Sequence, residues 1–323
     1  MHPAMLSVSV SVRLMERRLL GPVGPAVSVV GLGCNNFGRR MDAEATRTVV
    51  HAALDAGINH FDTAETYGDG NSERYLGAAL GARRDEVVIA TKFSRRPVDE
   101  PYTPGVLARR IEEGCEGSLR RLNTDRIDVY YQHFPDPAAP ADEAIETLNR
   151  LVQAGKVLAI GSSNPSAAQV AAEAALAAER GLAPFTCVQT EWSVLARGGE
   201  KAVIPAARQA GLGLIPYFPL AHGLLSGKYH RDQPFPAESR LATSPNSDRL
   251  ATPENFDKLD ALSAFASDHD HSILELAIAW LAAQDGVSSV IAGATKPDQV
   301  RANAAAAAWR LTPDELRDID NLV

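Results

Sequence analysis

Eight short segments rich in valine and isoleucine recur along this chain, with helical patterns between them. Most are apolar on both faces, which is typical of parallel strands covered by helices. They lie at residues 27–33, 57–62, 86–92, 126–133, 156–163, 185–191, 212–218 and 288–293. In a chain of 323 residues this alternation predicts an α/β fold, a parallel eight-stranded (β/α)₈ barrel. A doubly wound sheet is the alternative that the same pattern allows.

The connecting segments carry helix signatures. An apolar stripe at helical spacing is formed by Leu107, Ile111, Cys115, Leu119 and Leu122. Capping boxes are predicted at Ser272 with Glu275 and at Thr312 with Glu315. The segment "SDHDHS", residues 267–272, alternates aspartate and histidine, and we interpret it as a polar turn before a helix. No metal centre is predicted.

The ends of the chain and one long connection need separate treatment. Residues 1–14 are predicted to be a disordered extension, and residues 15–323 to form a single (β/α)₈ domain. Residues 14–27 are predicted to form a hairpin that closes the barrel floor. Residues 228–256 are rich in proline, serine and aspartate and lack clear periodicity, which indicates a functional or disordered loop.

Charge and cysteine content exclude several classes of protein. A net charge of −8 argues against a general binder of nucleic-acid backbones. The three cysteines, Cys34, Cys115 and Cys187, are far apart, so neither a disulfide framework nor a thiolate zinc site is indicated. No apolar stretch is long enough to span a bilayer, and no signal-peptide core is evident. The sequence predicts a cytoplasmic protein with no membrane partner and leaves the oligomeric state open.

The glycine-rich segment "GLGCNNFG" does not match the dinucleotide fingerprint. It has glycines at positions 31, 33 and 38, whereas G-x-G-x-x-G requires one where Asn36 stands. Any dinucleotide must therefore be held by other residues.

Titratable side chains follow three successive predicted strands. Barrel enzymes assemble their sites from the carboxyl ends of the strands. Here those ends present Asp62 with Tyr67, then Lys92, then His133. Each residue alone has an ordinary structural explanation, but together they predict a catalytic site.

The chemistry of these four residues favours carbonyl reduction. Tyrosine has a reference pKa of about 10, too high for easy proton transfer near neutrality. A neighbouring Lys92 ammonium, held by Asp62, favours the phenolate. Tyr67 is then a general acid, and His133 orients the substrate oxygen. Gly68 is predicted to let the loop turn so that Tyr67 points at the substrate.

Several ordered motifs resemble the aldo-keto reductases, in particular their bacterial and potassium-channel-β-like branch. The segments are "GKVLAIGSSN" (155–164), "YFPLAHGLLSGKY" (217–229) and "IAGATKPDQVRAN" (291–303). The resemblance covers essentially the whole chain from about residue 15. The family's catalytic tetrad falls on Asp62, Tyr67, Lys92 and His133.

The resemblance implies a nicotinamide cofactor and names residues for it. Ser163, Asn164 and Gln189 are expected to hold the carboxamide, and their donors and acceptors complement an amide. Tyr217 is expected to stack on the nicotinamide ring. The further cofactor residues that the resemblance implies are Cys34, Asn35, Asp62, Phe218, Pro219, Leu220, Ala221, His222, Lys228, Gly293, Thr295, Lys296, Gln299 and Asn303.

Lys296 favours NADPH over NADH. It precedes Pro297 at a predicted helix start, where the helix dipole disfavours a cation. A bound anion reverses that balance, and the 2′-phosphate of NADPH is the candidate.

This chain departs from the family pattern at three positions around the expected pocket. Asn35 stands where a tryptophan is common, Pro165 replaces an aromatic residue, and Phe218 replaces a serine. Asn35 and Phe134 are expected to line the substrate pocket.

The sequence thus predicts an NADPH-dependent reductase of aldehydes or ketones, with a small-molecule carbonyl substrate as its partner. Two alternatives on the same fold are an NAD-dependent sugar or alcohol dehydrogenase and an NADPH-binding, redox-sensing subunit with slow turnover. A metal-dependent barrel hydrolase would need converging ligands, of which only His133 is found.

Overall fold

Eight parallel strands close into a barrel in this computed structural model, which describes residues 15–97, 99–237, 239–243 and 247–323. The strands of the described residues are β1 (Arg17–Leu19), β2 (Ala26–Ser28), β3 (Val30–Gly33), β4 (His60–Asp62), β5 (Val88–Phe93), β6 (Ile127–Gln132), β7 (Val157–Ser163), β8 (Phe185–Glu191), β9 (Gly213–Tyr217) and β10 (Val290–Gly293). The barrel runs in chain order from β3 to β10, and β10 pairs in parallel with both β9 and β3. The predicted (β/α)₈ barrel is confirmed, and the doubly wound sheet is excluded.

Helices follow the barrel strands. Those of the described residues are α1 (Ala43–Asp55), α2 (Asn71–Leu80), α3 (Val106–Leu122), α4 (Ala141–Gln153), α5 (Ala167–Arg180), α6 (Val203–Gln209), α7 (Ser247–Leu250), α8 (Pro253–Asp268), α9 (Ile273–Ala282), α10 (Pro297–Ala306) and α11 (Pro313–Asn321). Both predicted capping boxes are present, because Ser272 and Thr312 accept from the backbone N–H groups of Glu275 and Glu315. Of the segment at 267–272, the first two residues end α8 and residues 269–272 form the turn before α9.

The predicted hairpin is present and lies under the barrel. Strands β1 and β2 pair antiparallel, and Leu20 donates its N–H to the carbonyl of Pro25. The turn passes close to the start of β9, since a Cβ on Gly21 would lie 3.4 Å from the Gly213 nitrogen. The segment predicted as one strand over 27–33 is two strands, because β2 belongs to the hairpin and β3 to the barrel.

The segment predicted as an irregular loop over 228–256 is partly helical. It contains the short helix α7, and α8 begins within it at Pro253. The hydroxyl of Thr252 accepts from the N–H of Asn255 at 3.2 Å, so Thr252 caps α8 with proline in the first turn. This is the same signal that correctly located α11. The predicted extension at 1–14 lies outside the described residues.

The core has two parts, one inside the barrel and one between the barrel and its helices. The residues that fill the barrel interior are Leu20, Val27, Val88, Ala90, Val129, Tyr131, Ala159, Cys187, Ile215 and Ile291. Two of these, Leu20 and Val27, come from the hairpin, which therefore plugs the floor. Among the described residues, no helix is long and apolar enough to cross a membrane.

Gly161→Ala tests the packing of the barrel interior. A Cβ at this position of β7 would lie 2.5 Å from Tyr131 Cε1 and 2.9 Å from Cys187 Sγ. We expect the free energy of unfolding to fall by about 1–3 kcal/mol, the usual effect of overpacking a core. Urea denaturation measures the change, with Gly198→Ala as the control because nothing lies within 4 Å of that position. Equal stability of the two variants would contradict a tightly packed interior.

Candidate active site

A buried ion pair lies at the carboxyl ends of β4 and β5. Lys92 is 0% exposed, and its Nζ donates to Asp62 Oδ1 at 2.7 Å and to the carbonyl of Thr63 at 2.7 Å. The second oxygen of Asp62 accepts from Gln189 Nε2 at 2.7 Å. Both oxygens of the carboxylate are therefore satisfied, which a buried charge requires.

Tyr67 and His133 lie directly above this pair. The Lys92 ammonium is 5.1 Å from the centre of the Tyr67 ring, and the rings of Tyr67 and His133 meet edge to face at 5.8 Å. Tyr67 begins a short 3₁₀ turn in which Gly68 has φ +56°. A Cβ on Gly68 would lie 2.7 Å from the carbonyl oxygen of Phe37, so glycine is required there. The four residues predicted from the strand ends are thus brought together.

Burial decides the protonation of these groups. It raises the pKa of Tyr67; the ammonium of Lys92 opposes this, and the carboxylate of Asp62 adds to it. The sequence had indicated the opposite direction for Tyr67, because the desolvation of its hydroxyl was not visible there. Burial alone would lower the pKa of Lys92, but Asp62 and Tyr67 outweigh it and raise that pKa. The pKa of His133 is lowered to about 4 by burial and by Lys92, so the imidazole is neutral at pH 7.

A cavity of about 540 Å³ opens above these residues at the carboxyl ends of the strands. The predicted site residues that line it are Cys34, Asn35, Asp62, Tyr67, His133, Phe134, Ser163, Asn164, Gln189, Tyr217, Phe218, Pro219, Leu220, His222, Lys228, Gly293, Thr295, Lys296, Gln299 and Asn303. Lys92 and Ala221 are buried behind its wall. A larger cavity of about 750 Å³ lies near the hairpin at the other end of the barrel, and none of the predicted residues line it.

Hydrogen bonds fix the side chains on the β7 and β9 side of the cavity. Asn164 Nδ2 donates to the carbonyl of His133 at 3.1 Å and to Ser163 Oγ at 3.1 Å. Asn164 Oδ1 accepts from the Tyr217 hydroxyl at 2.7 Å, which holds that ring at the cavity wall. Phe134 is 46% exposed at the mouth and stacks on His133 with ring centres 4.9 Å apart. Hydrogen bonds therefore hold Asn164 and Tyr217 at the cavity wall, whereas Phe134 is exposed at its mouth.

The segment after β9 has an unusual backbone. Phe218, Ala221 and His222 all have φ between +44° and +56°, a region that residues other than glycine seldom adopt. The rings of Phe218 and His222 lie 3.9 Å apart, and Arg240 lies 4.9 Å over the Phe218 ring. Such strained conformations persist where the surrounding structure holds them, and they cluster at binding sites.

Four cationic side chains line the cavity, and sequence analysis missed two of them. Lys228 and Lys296 were predicted, whereas Arg40 and Arg240 were not. Within the described ranges no carboxylate forms an ion pair with any of these four, although the chain as a whole is acidic. Burial lowers the pKa of Arg240, and the positive charges of Arg40 and Arg39 add to that effect.

Lys296 occupies the N-cap of α10, as predicted, and Pro297 is the first helical residue. The neighbouring Thr295 donates its N–H to Gln299 Oε1 at 2.8 Å and its hydroxyl to the same oxygen at 3.2 Å. Gln299 thus braces the loop that carries Lys296, which lines the cavity.

Comparison with known proteins identifies the family of this chain. A sequence model of the Aldo/keto reductase family matches residues 29–323, and the chain belongs to that family. It is 35% identical over 322 residues to a probable voltage-gated potassium channel subunit beta of Oryza sativa subsp. japonica, covering 96% of this chain and 97% of that protein. It is 32% identical over 316 residues to aldo-keto reductase YhdN of Bacillus subtilis, covering 96% and 94%. A putative voltage-gated potassium channel subunit beta of Schizosaccharomyces pombe is 36% identical over 320 residues, covering 95% and 92%. The chain is therefore an oxidoreductase of this family, whose members use a nicotinamide cofactor.

Lys92→Met removes the cation of the buried pair and keeps an unbranched side chain. Among the residues that the structure describes, the buried carboxylate of Asp62 then keeps one side-chain donor, Gln189. We expect the free energy of unfolding to fall by about 3–5 kcal/mol, as when one partner of a buried pair is removed. Arg317→Met is the control, because it breaks an exposed ion pair with Asp314 and should change stability by less than about 1 kcal/mol. Similar losses in the two variants, measured by chemical denaturation, would contradict the proposed strength of the buried pair.

Proposed function

We propose that residues 15–323 form a single-domain, NADPH-dependent oxidoreductase that reduces aldehydes or ketones to alcohols. The observation that carries this proposal is the Lys92–Asp62 ion pair, which lies under Tyr67 and beside a neutral His133. A proton donor, a cation behind it and a neutral hydrogen-bond donor together match what a carbonyl oxygen needs as it becomes an alkoxide.

The chain itself handles the proton. When bound, the reduced nicotinamide supplies a hydride to the carbonyl carbon. Tyr67 donates its phenolic proton to the carbonyl oxygen, and its raised pKa keeps it protonated at neutral pH. Lys92 stabilises the phenolate that remains, and Asp62 holds Lys92 in place. His133, uncharged at this pH, donates a hydrogen bond that orients the carbonyl.

The residues present suit a nicotinamide dinucleotide. Asn164 and Ser163 offer both donors and acceptors to a carboxamide, and the Tyr217 ring is held where it can pack against the nicotinamide. Gln189 has its amide N–H engaged by Asp62, so we propose that its free carbonyl oxygen accepts from the carboxamide.

The charge of the cavity favours the cofactor with more phosphate. The cations that line it, Arg40, Lys228, Arg240 and Lys296, form no ion pair with a carboxylate in the described part of the chain. NADPH carries a pyrophosphate and a 2′-phosphate, whereas NADH carries only the pyrophosphate. Helix N-termini bind such anions well, and Lys296 stands at the start of α10.

A second candidate function is suggested by the relatives. Two of the proteins described above are named as potassium channel β subunits, and both match over more than nine-tenths of their length. This chain would then bind NADPH tightly, turn over slowly and associate with a partner protein. The intact tetrad supports the enzyme as the first choice.

Tyr67→Phe removes the proton donor and leaves the ring. We expect kcat to fall by about 10²–10⁴-fold, the usual contribution of a positioned general acid. The dissociation constant for NADPH should stay unchanged, because the cofactor residues remain. NADPH oxidation with a panel of aromatic aldehydes, 2-oxo-aldehydes, ketones and sugars measures the rate, and Tyr102→Phe is the control. A Tyr67 variant with near-normal turnover would refute the assignment; tight binding of NADPH without turnover by the wild type would favour the sensing subunit.

Lys296→Ala tests the choice of cofactor. We expect affinity for NADPH to fall by about tenfold or more, since a charge-assisted contact to phosphate is worth about 1.5–3 kcal/mol. Affinity for NADH should change little, because NADH lacks the 2′-phosphate. Fluorescence titration with both cofactors measures this, and Lys201→Ala, an exposed lysine outside the cavity, is the control. An equal loss of affinity for both cofactors would favour the NAD-dependent dehydrogenase.

A further inference from the structure

Two buried carboxylates lie in the layer between the barrel and its helices. Glu73 is 0% exposed, and it accepts from the hydroxyl of Thr91 at 2.6 Å and from Nε of Arg121 at 2.5 Å. Its charge is therefore paired with a cation. Glu173, on α5, is 7% exposed and has no such partner among the described residues.

The contacts of Glu173 are uncharged. Its Oε1 accepts from Gln132 Nε2 at 2.9 Å. The hydroxyl of Ser162 is buried without a hydrogen-bond partner among the described residues, and it lies close enough to Glu173 to lower the pKa of that carboxyl. No charged side chain of the described residues acts on Glu173.

Charged side chains on α5 and on the helices beside it form ion pairs with residues other than Glu173. On α4 and α5, Asp142 and Glu146 pair with Arg180 at the surface. On α6, Arg208 pairs with Asp285. Glu173 is therefore a carboxyl group whose buried environment contains hydrogen-bond donors and no compensating cation.

The two groups that contact Glu173 each precede a residue of the active site. Gln132 ends β6 and is followed by His133, and Ser162 on β7 is followed by Ser163 and Asn164. On the cavity side the same two strands are joined by the bond from Asn164 Nδ2 to the His133 carbonyl at 3.1 Å. The ends of β6 and β7 are thus braced on both faces of the barrel wall.

We propose that Glu173 is a positioning residue for the reaction, holding His133 and Asn164 in register through Gln132 and Ser162, and that its ionisation strengthens this brace. The inference rests on the proposed function, because it assigns His133 a role in turnover. The ionised carboxylate accepts stronger hydrogen bonds than the neutral acid does, so it holds the side-chain amide of Gln132 and the hydroxyl of Ser162 more firmly. Small displacements of reacting groups reduce rates strongly.

The protonation of Glu173 changes in the neutral range. Burial raises its pKa to about 7. The two histidines of the cavity change their protonation at lower pH, since the pKa values of His133 and His222 are lowered to about 4. The pKa of Tyr67 is raised above its ordinary value of 10.0. A change of rate near pH 7 therefore points to Glu173 rather than to these groups.

Glu173→Gln tests the proposal, with Glu179→Gln, an exposed residue of the same helix, as the control. We expect kcat of the wild type and of the control to rise by about tenfold between about pH 6 and about pH 8 as the brace tightens. The Glu173→Gln variant should keep its low-pH rate over this range. The 2′-phosphate of NADPH titrates near pH 6 in all three proteins, so it does not distinguish them. A rise near pH 7 that persists in Glu173→Gln, or its absence from the wild type, would overturn the proposal.

A second measurement does not depend on turnover. The backbone amide signal of His133 and the side-chain amide signals of Gln132, followed by NMR, should shift with a midpoint near pH 7 in the wild type only. Ser162→Ala should move that midpoint upward, because the hydroxyl of Ser162 lowers the pKa of Glu173. Constant signals in the wild type would refute the coupling. Failure of the proposed function would be seen separately, as a lack of carbonyl reduction at every pH.

Discussion

The pairing of Lys92 with Asp62 is the interaction around which the upper end of the barrel is arranged. Two charges placed where water is absent are tolerated only when each has further partners. Thr63 and Gln189 supply these partners, so the ends of three barrel strands, β4, β5 and β8, meet at one carboxylate and one ammonium. The charges of the same pair also act on the pKa values of Tyr67 and His133.

Burial also acts in opposite directions on the pKa values of the proposed acid, Tyr67, and the proposed orienting group, His133. It raises the pKa of Tyr67 and lowers that of His133, so each stays in its neutral, donor-bearing form at pH 7. The cations around the cavity mouth are in surroundings that disfavour their charge. Arg240 is partly desolvated and lies near Arg39 and Arg40, and both effects lower its pKa. Such an arrangement favours a ligand that brings several negative charges.

The sequence predicted the barrel and the convergence of the tetrad, because both follow from short-range patterns and from one rule about strand ends. It did not predict that 27–33 divides at Val29, since the apolar pattern continues across the change from hairpin to barrel. It missed Arg240 because no local signal places a side chain from a long connection over the cavity. The hydrogen bond between Gln189 and Asp62 could not be predicted from the sequence either, since it joins residues 127 positions apart.

The central claim is that this chain transfers a hydride while Tyr67 supplies the proton. The most direct test uses NADPH carrying deuterium at C4 of the nicotinamide, on either face, with an aldehyde that the protein consumes. We expect one face only to deliver deuterium to the carbinol carbon of the alcohol, because Tyr217 is proposed to hold the ring against one wall. Product analysis by NMR in ordinary water reads the label. Alcohol without deuterium from either form of NADPH would contradict the account.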